Sequence, residues 1–261
     1  EVHQINAAEW MLARRSNSWM CARLSHKPHV NQSTDPLVID AIDKHAYILI
    51  TGGTGGLGSE IAKNLAQRGF NNLILMSRSG RSTPSIQKLH SITNYVIYKG
   101  DVTSAEDVAH VFNEYQISMV IHAAGSPPIH SIDDFTCENF SFECSAKVNG
   151  ALHLCKYAAE SIPILCISSF SSFIPSPKQA AYCAANMFLN VLAHSDPRVE
   201  AIGFGPFSEI GMVSQPSHLA RLKSLGFHPH QPSDISYLFL NHASSSTITA
   251  CIDESKYVHS R

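Results

Sequence analysis

A doubly wound α/β fold, with a parallel sheet and helices on both faces, is what this sequence predicts. Three observations point to it. Apolar strand-like runs alternate with helical patterns along most of the chain. One such run, Tyr47–Ile50, leads into a glycine cluster that opens a helix. Five strand ends carry glycine or small polar residues: Thr51–Gly58, Asp101, Ala123–Gly125, Ser168-Ser169 and Gly205-Pro206. Strands separated by helices imply right-handed crossovers and a parallel sheet, with ligands beyond the carboxyl ends of the strands.

The elements follow in order. Ile5–Arg14 reads as a helix and Met20–Leu24 as a short strand. His26–Pro36, polar and with two prolines, reads as a linker. Residues 1–45 are thus expected to form an extension ahead of the main domain, residues 46–261. After the glycine cluster, Ile61, Ala62, Leu65 and Ala66 mark a helix that ends at Gly69. Asn72–Met76 is a strand, Ser85–Ser91 a short helix and Tyr95–Tyr98 a strand. Ser104 is a good N-cap for a helix through Tyr115, with Ala105, Val108, Val111 and Phe112 on one face. Met119–His122 is a strand, Cys144–Glu160 a long helix, Ile164–Ile167 a strand and Gln179–His194 a helix. Ala201–Phe204 is a strand, and Thr247–Ile252 a weaker one closing the chain.

Composition excludes several classes of function. With 261 residues and a formal net charge of −2, the chain has no basic field for nucleic acid. No apolar run approaches the roughly 18 residues that span a bilayer, and no charged-then-apolar signal pattern opens the chain. The 7 cysteines are dispersed without a C-x-x-C pair, as expected of reduced thiols in a cytoplasmic protein. The 15 histidines show no metal-ligand spacing, so no metal site is expected. A first residue that is not methionine suggests a piece of a longer protein.

The glycine cluster Gly52-Gly53-Thr54-Gly55-Gly56-Leu57-Gly58 lies between strand and helix, where a dinucleotide pyrophosphate is bound. Glycines let the backbone approach the phosphates, and a helix N-terminus supplies N–H groups and positive potential. Cofactor choice is made at the end of the second strand of this unit. An acidic residue there holds the ribose hydroxyls of NAD; this chain has Ser77 and Arg78, which favour a 2′-phosphate and hence NADPH. A second constellation is Ser169, Tyr182 and Asn186. Tyr182 and Asn186 are four apart on one helix face, and Ser169 ends the preceding strand. A tyrosine hydroxyl can protonate a carbonyl oxygen, and a nearby cation would lower its pKa toward neutrality. Lys147, on the helix before the serine strand, is the expected cation. Each residue alone also has a plain structural explanation, and the set carries the argument.

These pieces together resemble a short-chain dehydrogenase/reductase. More narrowly, residues 46–213 resemble the ketoreductase domain of polyketide synthases and animal-type fatty acid synthases. The matching stretches are TGGTGGLG (51–58), LILMSRSG (73–80), GDVTS (100–104), VIHAAG (120–125), AKVNGALHL (146–154), ISSFSS (167–172), QAAYCAAN (179–186) and GFGPFSEIGM (203–212). In this subfamily the lysine lies upstream and asparagine stands four residues after the tyrosine, as do Lys147 and Asn186 here. The resemblance implies a Rossmann-like sheet and reduction of a β-ketoacyl thioester, tethered by phosphopantetheine to an acyl carrier protein. It implies Tyr182 as proton donor, Ser169 as partner of the substrate carbonyl, and Lys147 on tyrosine and nicotinamide ribose. Asn186 would order the polar network and Arg78 would meet the 2′-phosphate. Asp101 and Val102 would border the adenine. Ala123, Ala124, Gly125, Pro206 and Phe207 would flank the nicotinamide. Ile5–Leu24 resembles the last helix and strand of an enoylreductase domain, a neighbour in highly reducing synthases.

The chain also departs from the pattern. Ser126-Pro127-Pro128-Ile129 replaces the Leu-Asp-Asp that marks one product configuration, and Ile174 stands where a tryptophan marks the other. Ala146 replaces the usual proline before the lysine, and Gln215–Arg261 matches poorly. The way in for substrate is expected between Ser126–His130 and Gln215–Gly226. Rival readings are a free-standing carbonyl reductase, a non-catalytic scaffold and a dinucleotide-sensing regulator.

Overall fold

The structure is a computed structural model. It describes residues 12–15, 18–21, 38–127, 130–174, 178–210, 220, 223–224, 226–239, 246–249 and 251–252. Its centre is a seven-stranded, wholly parallel sheet. The strands are β3 (Tyr47–Thr51), β4 (Asn72–Ser77), β5 (Asn94–Lys99), β6 (Ile117–His122), β7 (Ile164–Ser169), β8 (Val199–Phe204) and β10 (Ser246–Thr249). Their order across the sheet is β10-β8-β7-β6-β3-β4-β5. The chain starts in the middle, winds outward to β5, then returns to β6 and winds the other way. The reversal falls between β3 and β6, the position at which doubly wound sheets open a ligand crevice.

Side-chain alternation sorts these strands into two cores. Ile48, Ile50, Leu73, Leu75, Met119, Ile121, Leu165, Ile167, Ile202 and Phe204 face one layer. Leu49, Ile74, Met76, Val120, Ile164, Cys166, Val199 and Ala201 face the other. Both faces are buried, so the inner strands read as continuous apolar runs rather than alternating ones. The first layer is closed by α1 (Gly56–Gln67) through Ile61, Ala62 and Leu65, and by α2 (Pro84–Gln87) with the 3₁₀ turn Lys88–Ser91. The second is closed by α3 (Ala105–Glu114), α4 (Cys137–Tyr157) and α5 (Ala180–Ser195), through Val108, Val111, Ala151, Leu154 and Leu189.

Local signals set the ends. Ser104 caps α3 by accepting from the Asp107 N–H at 3.2 Å. Gly69, at φ +90°, follows the end of α1. Helix α4 begins seven residues before the expected Cys144, because Thr136 and Asn139 form a reciprocal capping box. It ends at Tyr157 rather than Glu160, since Ala158 already has extended backbone.

Two expectations are corrected. The helix expected over Ile5–Arg14 is not formed at its end: Leu12–Arg15 is strand β1, antiparallel to β2 (Ser18–Cys21). Ladder pairing outweighs helix propensity there, and β2 takes the place of the strand expected over Met20–Leu24. Residues 1–11 and the linker His26–Pro36 lie outside the described residues. The single closing strand Thr247–Ile252 is two strands in two sheets. β10 extends the parallel sheet beside β8, while β11 (Cys251–Ile252) pairs antiparallel with β9 (Phe227–His228), an element the sequence reading lacked.

Candidate active site

Thr51 ends β3 between Met76 of β4 and His122 of β6. Gly52 then turns at φ +67°, a region open to glycine. A Cβ at Gly52 would lie 2.9 Å from the Ala124 backbone, and one at Gly53 would lie 2.8 Å from Leu75 Cα. A Cβ at Gly58, in the first turn of α1, would collide with the Gly52 carbonyl. The turn is held by backbone bonds, Gly53 N–H to Met76 O at 3.2 Å and Gly55 N–H to Gly52 O at 2.9 Å. Gly55 caps α1 without a side-chain hydrogen bond, and no acidic residue occupies the first turn. The result is a cradle of backbone N–H groups at a positive helix end, which fits the pyrophosphate of a dinucleotide. Thr54 is half-buried within it, and Leu57 packs its side chain into the first core layer.

The rim toward β5 carries the charges. Arg78 is exposed just past β4. Ser77 accepts from the Gly80 N–H through its hydroxyl (3.3 Å) and from the Gly100 N–H through its carbonyl (3.1 Å). Asp101 spends one carboxylate oxygen on the Thr103 N–H and hydroxyl, both at 2.9 Å. Val102 is buried against the position of Gly150 on α4.

His122 was missed by the sequence reading. It is fully buried, and its Nδ1 is 2.7 Å from the Thr51 hydroxyl, which also accepts from the Ala124 N–H at 3.4 Å. Burial first, and the Lys147 charge second, push its pKa down to about 3, so the ring is neutral. This link ties the glycine turn to the Ala123–Gly125 segment. The signal was legible as a polar residue closing the apolar run Met119–Ile121.

Beyond β6 and β7 the site is built from side chains. Lys147 is buried on α4 and donates from Nζ to the Ile167 carbonyl at 2.7 Å. A Cβ at Gly125 would stand 3.2 Å from its Cε, a tight approach that would make the lysine side chain shift. Burial pushes the Lys147 pKa down to about 8. Ser169 ends β7 and accepts from the Ser171 N–H at 3.1 Å. Asn186 is fully buried and donates to the Tyr182 carbonyl at 2.7 Å. Burial raises the Tyr182 phenol above its ordinary 10.0, and hydrogen bonds with Ser169 and Asn186 work against that rise. The structure therefore brings Ser169, Tyr182 and Asn186 together as expected. The Lys147 ammonium is turned to the Ile167 carbonyl, and the interactions that oppose the rise at Tyr182 are neutral hydrogen bonds.

After β8, Pro206 and Phe207 are clasped by a returning segment. His230 N–H donates to Pro206 O at 2.7 Å, and Ser208 N–H to His230 O at 2.9 Å. The Phe207 ring is buried beside Phe204 and His230, at 5.4 Å and 5.5 Å between centroids. Its side chain serves the core, which leaves Pro206 and backbone to border the site. Of the expected substrate opening, Pro128, Ile129 and most of residues 211–225 lie outside the described residues.

A doubly wound sheet with a glycine cradle at its switch point, and with Ser169, Tyr182 and Asn186 gathered where β7 ends, is an arrangement suited to a nicotinamide-dependent oxidoreductase domain. The chain belongs to the KR domain family, whose model matches residues 46–204. It is 29% identical over 201 residues to erythronolide synthase EryA3 of Saccharopolyspora erythraea, covering 70% of this chain and 6% of that protein. It is 31% identical over 222 residues to naringenin synthase of Pestalotiopsis fici, covering 78% of this chain and 8% of that protein. The chain thus spans less than a tenth of these relatives, and it is homologous to polyketide synthase ketoreductase domains. The ketoreductase from the first module of phoslactomycin biosynthesis in Streptomyces sp. HK803 has the same fold. The TM-score is 0.83 at 24% identity, covering 98% of this chain and 62% of that one. Among the described residues no helix is long and apolar enough to cross a membrane.

Proposed function

We propose that this chain is an NADPH-dependent β-ketoacyl thioester reductase, residues 46–261 forming the catalytic domain of a multidomain synthase and residues 1–45 an extension ahead of it. The substrate in this reading is a 3-oxoacyl chain on an acyl carrier protein, and the product is the β-hydroxyacyl thioester. The observation that carries the reading is the convergence of Ser169, Tyr182 and Asn186 beside a backbone cradle that fits a dinucleotide.

Gly52–Gly58 would hold the pyrophosphate, Arg78 the 2′-phosphate, and Lys147 the nicotinamide ribose. When bound, the cofactor supplies a hydride to the carbonyl carbon. The remaining work falls to this chain's own residues. Ser169 accepts a backbone N–H and, with substrate bound, would donate its hydroxyl hydrogen to the substrate carbonyl oxygen. Tyr182, with its pKa above 10.0, is protonated at neutral pH and gives its proton to that oxygen as charge develops there. Lys147, with a pKa of about 8, still carries its proton at pH 7.

The test is kcat/KM for one 3-oxoacyl group, free against carrier-bound. Tethering raises effective concentration to about millimolar, so the domain has little need to grip its acyl chain. Free thioesters are expected to react weakly with high KM and the carrier-bound form far better. Equal or better turnover of the free form favours a free-standing carbonyl reductase.

A further inference from the structure

Between α5 and the turn after β7 runs a chain of hydrogen bonds that the chemistry above leaves unused. Asn190 lies on the same face of α5 as Tyr182 and Asn186, one further turn along. It is 3% exposed, between the buried apolar residues Leu189 and Ala193. An amide in such a place costs free energy unless it is bonded, and an apolar residue would fill the space without that cost. Asn190 Nδ2 donates to the Ser172 hydroxyl at 3.0 Å. Ser172, 7% exposed, donates in turn to the Ser169 carbonyl at 2.7 Å.

These two bonds meet the one already described, from Ser171 N–H to the Ser169 hydroxyl. Ser169 is thereby gripped twice, at its carbonyl by Ser172 and at its hydroxyl by Ser171. Both grips come from the short 3₁₀ turn Phe170–Ser172. Rotation of the peptide plane after Ser169 would break the first bond, and unwinding of the turn would withdraw the Ser171 N–H that makes the second. The Ser171 N–H occupies one lone pair of the hydroxyl, whose other hydrogen bond here is with Tyr182. Asn190 anchors this turn to the helix that carries Tyr182.

We propose that Ser172 and Asn190 are positioning residues that aim the Ser169 hydroxyl at the substrate carbonyl. The inference rests on the reading of Ser169 as the partner of that carbonyl. A residue acting through Ser169 can matter only while Ser169 is present, and a double-mutant cycle isolates such dependence.

The experiment measures kcat for NADPH-dependent reduction of a 3-oxoacyl thioester in four proteins: the parent, Ser172→Ala, Ser169→Ala and the double variant. NADPH affinity and melting temperature are followed in parallel. Losing one hydrogen bond of this kind is expected to lower kcat about three- to tenfold in the parent background. In the Ser169→Ala background the same substitution is expected to change kcat little. Ser172→Thr, which keeps the hydroxyl, is expected to restore most of the loss. Equal losses in both backgrounds, or no loss in either, overturn the inference. If Ser172→Ala does not bind NADPH, Asn190→Leu, close in volume and apolar, replaces it in the same cycle. A parent that reduces no 3-oxoacyl thioester, or Ser169→Ala with parental kcat, overturns the reading of the site itself.

Discussion

Where β3 ends, glycines press backbone against backbone; where β7 ends, hydroxyls and amides are held against one another by hydrogen bonds. The first region has almost no side-chain chemistry. Its requirement is space: 2.9 Å between a Gly52 Cβ and Ala124, 2.8 Å between a Gly53 Cβ and Leu75. The second region has room for side chains and depends on which atoms they carry. Ser169, Ser172, Asn186 and Asn190 are all under 9% exposed, and each makes at least one hydrogen bond there. The difference teaches that one half of the site should fail by steric intrusion and the other by loss of a single atom.

The largest effect is expected from intrusion. Gly52→Val places a branched side chain at φ +67° and drives it into Ala124. Strain and overpacking together are expected to cost about 3 kcal/mol or more. NADPH binding should be lost and the melting temperature should fall, as measured by cofactor fluorescence and thermal unfolding. Retained affinity would break the comparison.

Tyr182→Phe is the opposite case, one oxygen removed with little change in volume. Reduction is expected to fall by about a hundredfold or more, the scale for losing a positioned general acid. NADPH affinity and melting temperature should stay near parental values. Near-parental turnover in a folded variant would remove Tyr182 as the proton donor.

Lys147 sharpens the comparison through pH. Its pKa of about 8 lies below that of Tyr182, which is raised above 10.0. The free enzyme keeps the ammonium below about pH 8 and loses it above. The kcat/KM profile is therefore expected to fall as pH rises through about 8. Lys147→Met should lower kcat/KM on the plateau and abolish that limb. A limb that persists unchanged in the variant belongs to another group.

The smallest effect is expected at the exposed rim. Arg78→Glu should weaken NADPH affinity about tenfold, the scale of one charge-assisted contact, and narrow the preference over NADH. Binding of the two cofactors is read by titration of intrinsic fluorescence. A parent with equal affinity for both would remove Arg78 from cofactor choice.

Most of the sheet was legible in the sequence because its strands are buried on both faces and punctuated by glycine, proline and N-cap residues. β3, β4, β5, β6, β7 and β8 fall within two residues of the expected bounds. The hairpin β1–β2 was not legible, since Leu12–Arg15 has no period that separates strand from helix. The split of Thr247–Ile252 between two sheets was also hidden, because it depends on β9, a partner with only two residues. At the site, Gly52–Gly58 and the Ser169, Tyr182 and Asn186 set were readable from type and spacing. The direction of the Lys147 ammonium was not, because the Ile167 carbonyl that accepts it comes from another element. Nor was the Ser172–Asn190 bond, a tertiary contact between two residues eighteen apart that no local pattern marks.

The central place of β3 has a consequence in time as well as in space. Gly52 emerges from the ribosome with one wall of its cradle near at hand, since β4 begins at Asn72. The opposite wall, Ala124, follows 72 residues behind Gly52 in the sequence. At about 5–20 residues per second of synthesis, that interval is roughly 4–14 s. Throughout it the turn has nothing on the β6 side to press against. Cofactor can therefore act as a folding ligand only after β6 has docked, and a nascent chain halted before residue 124 should gain no protease resistance from NADPH.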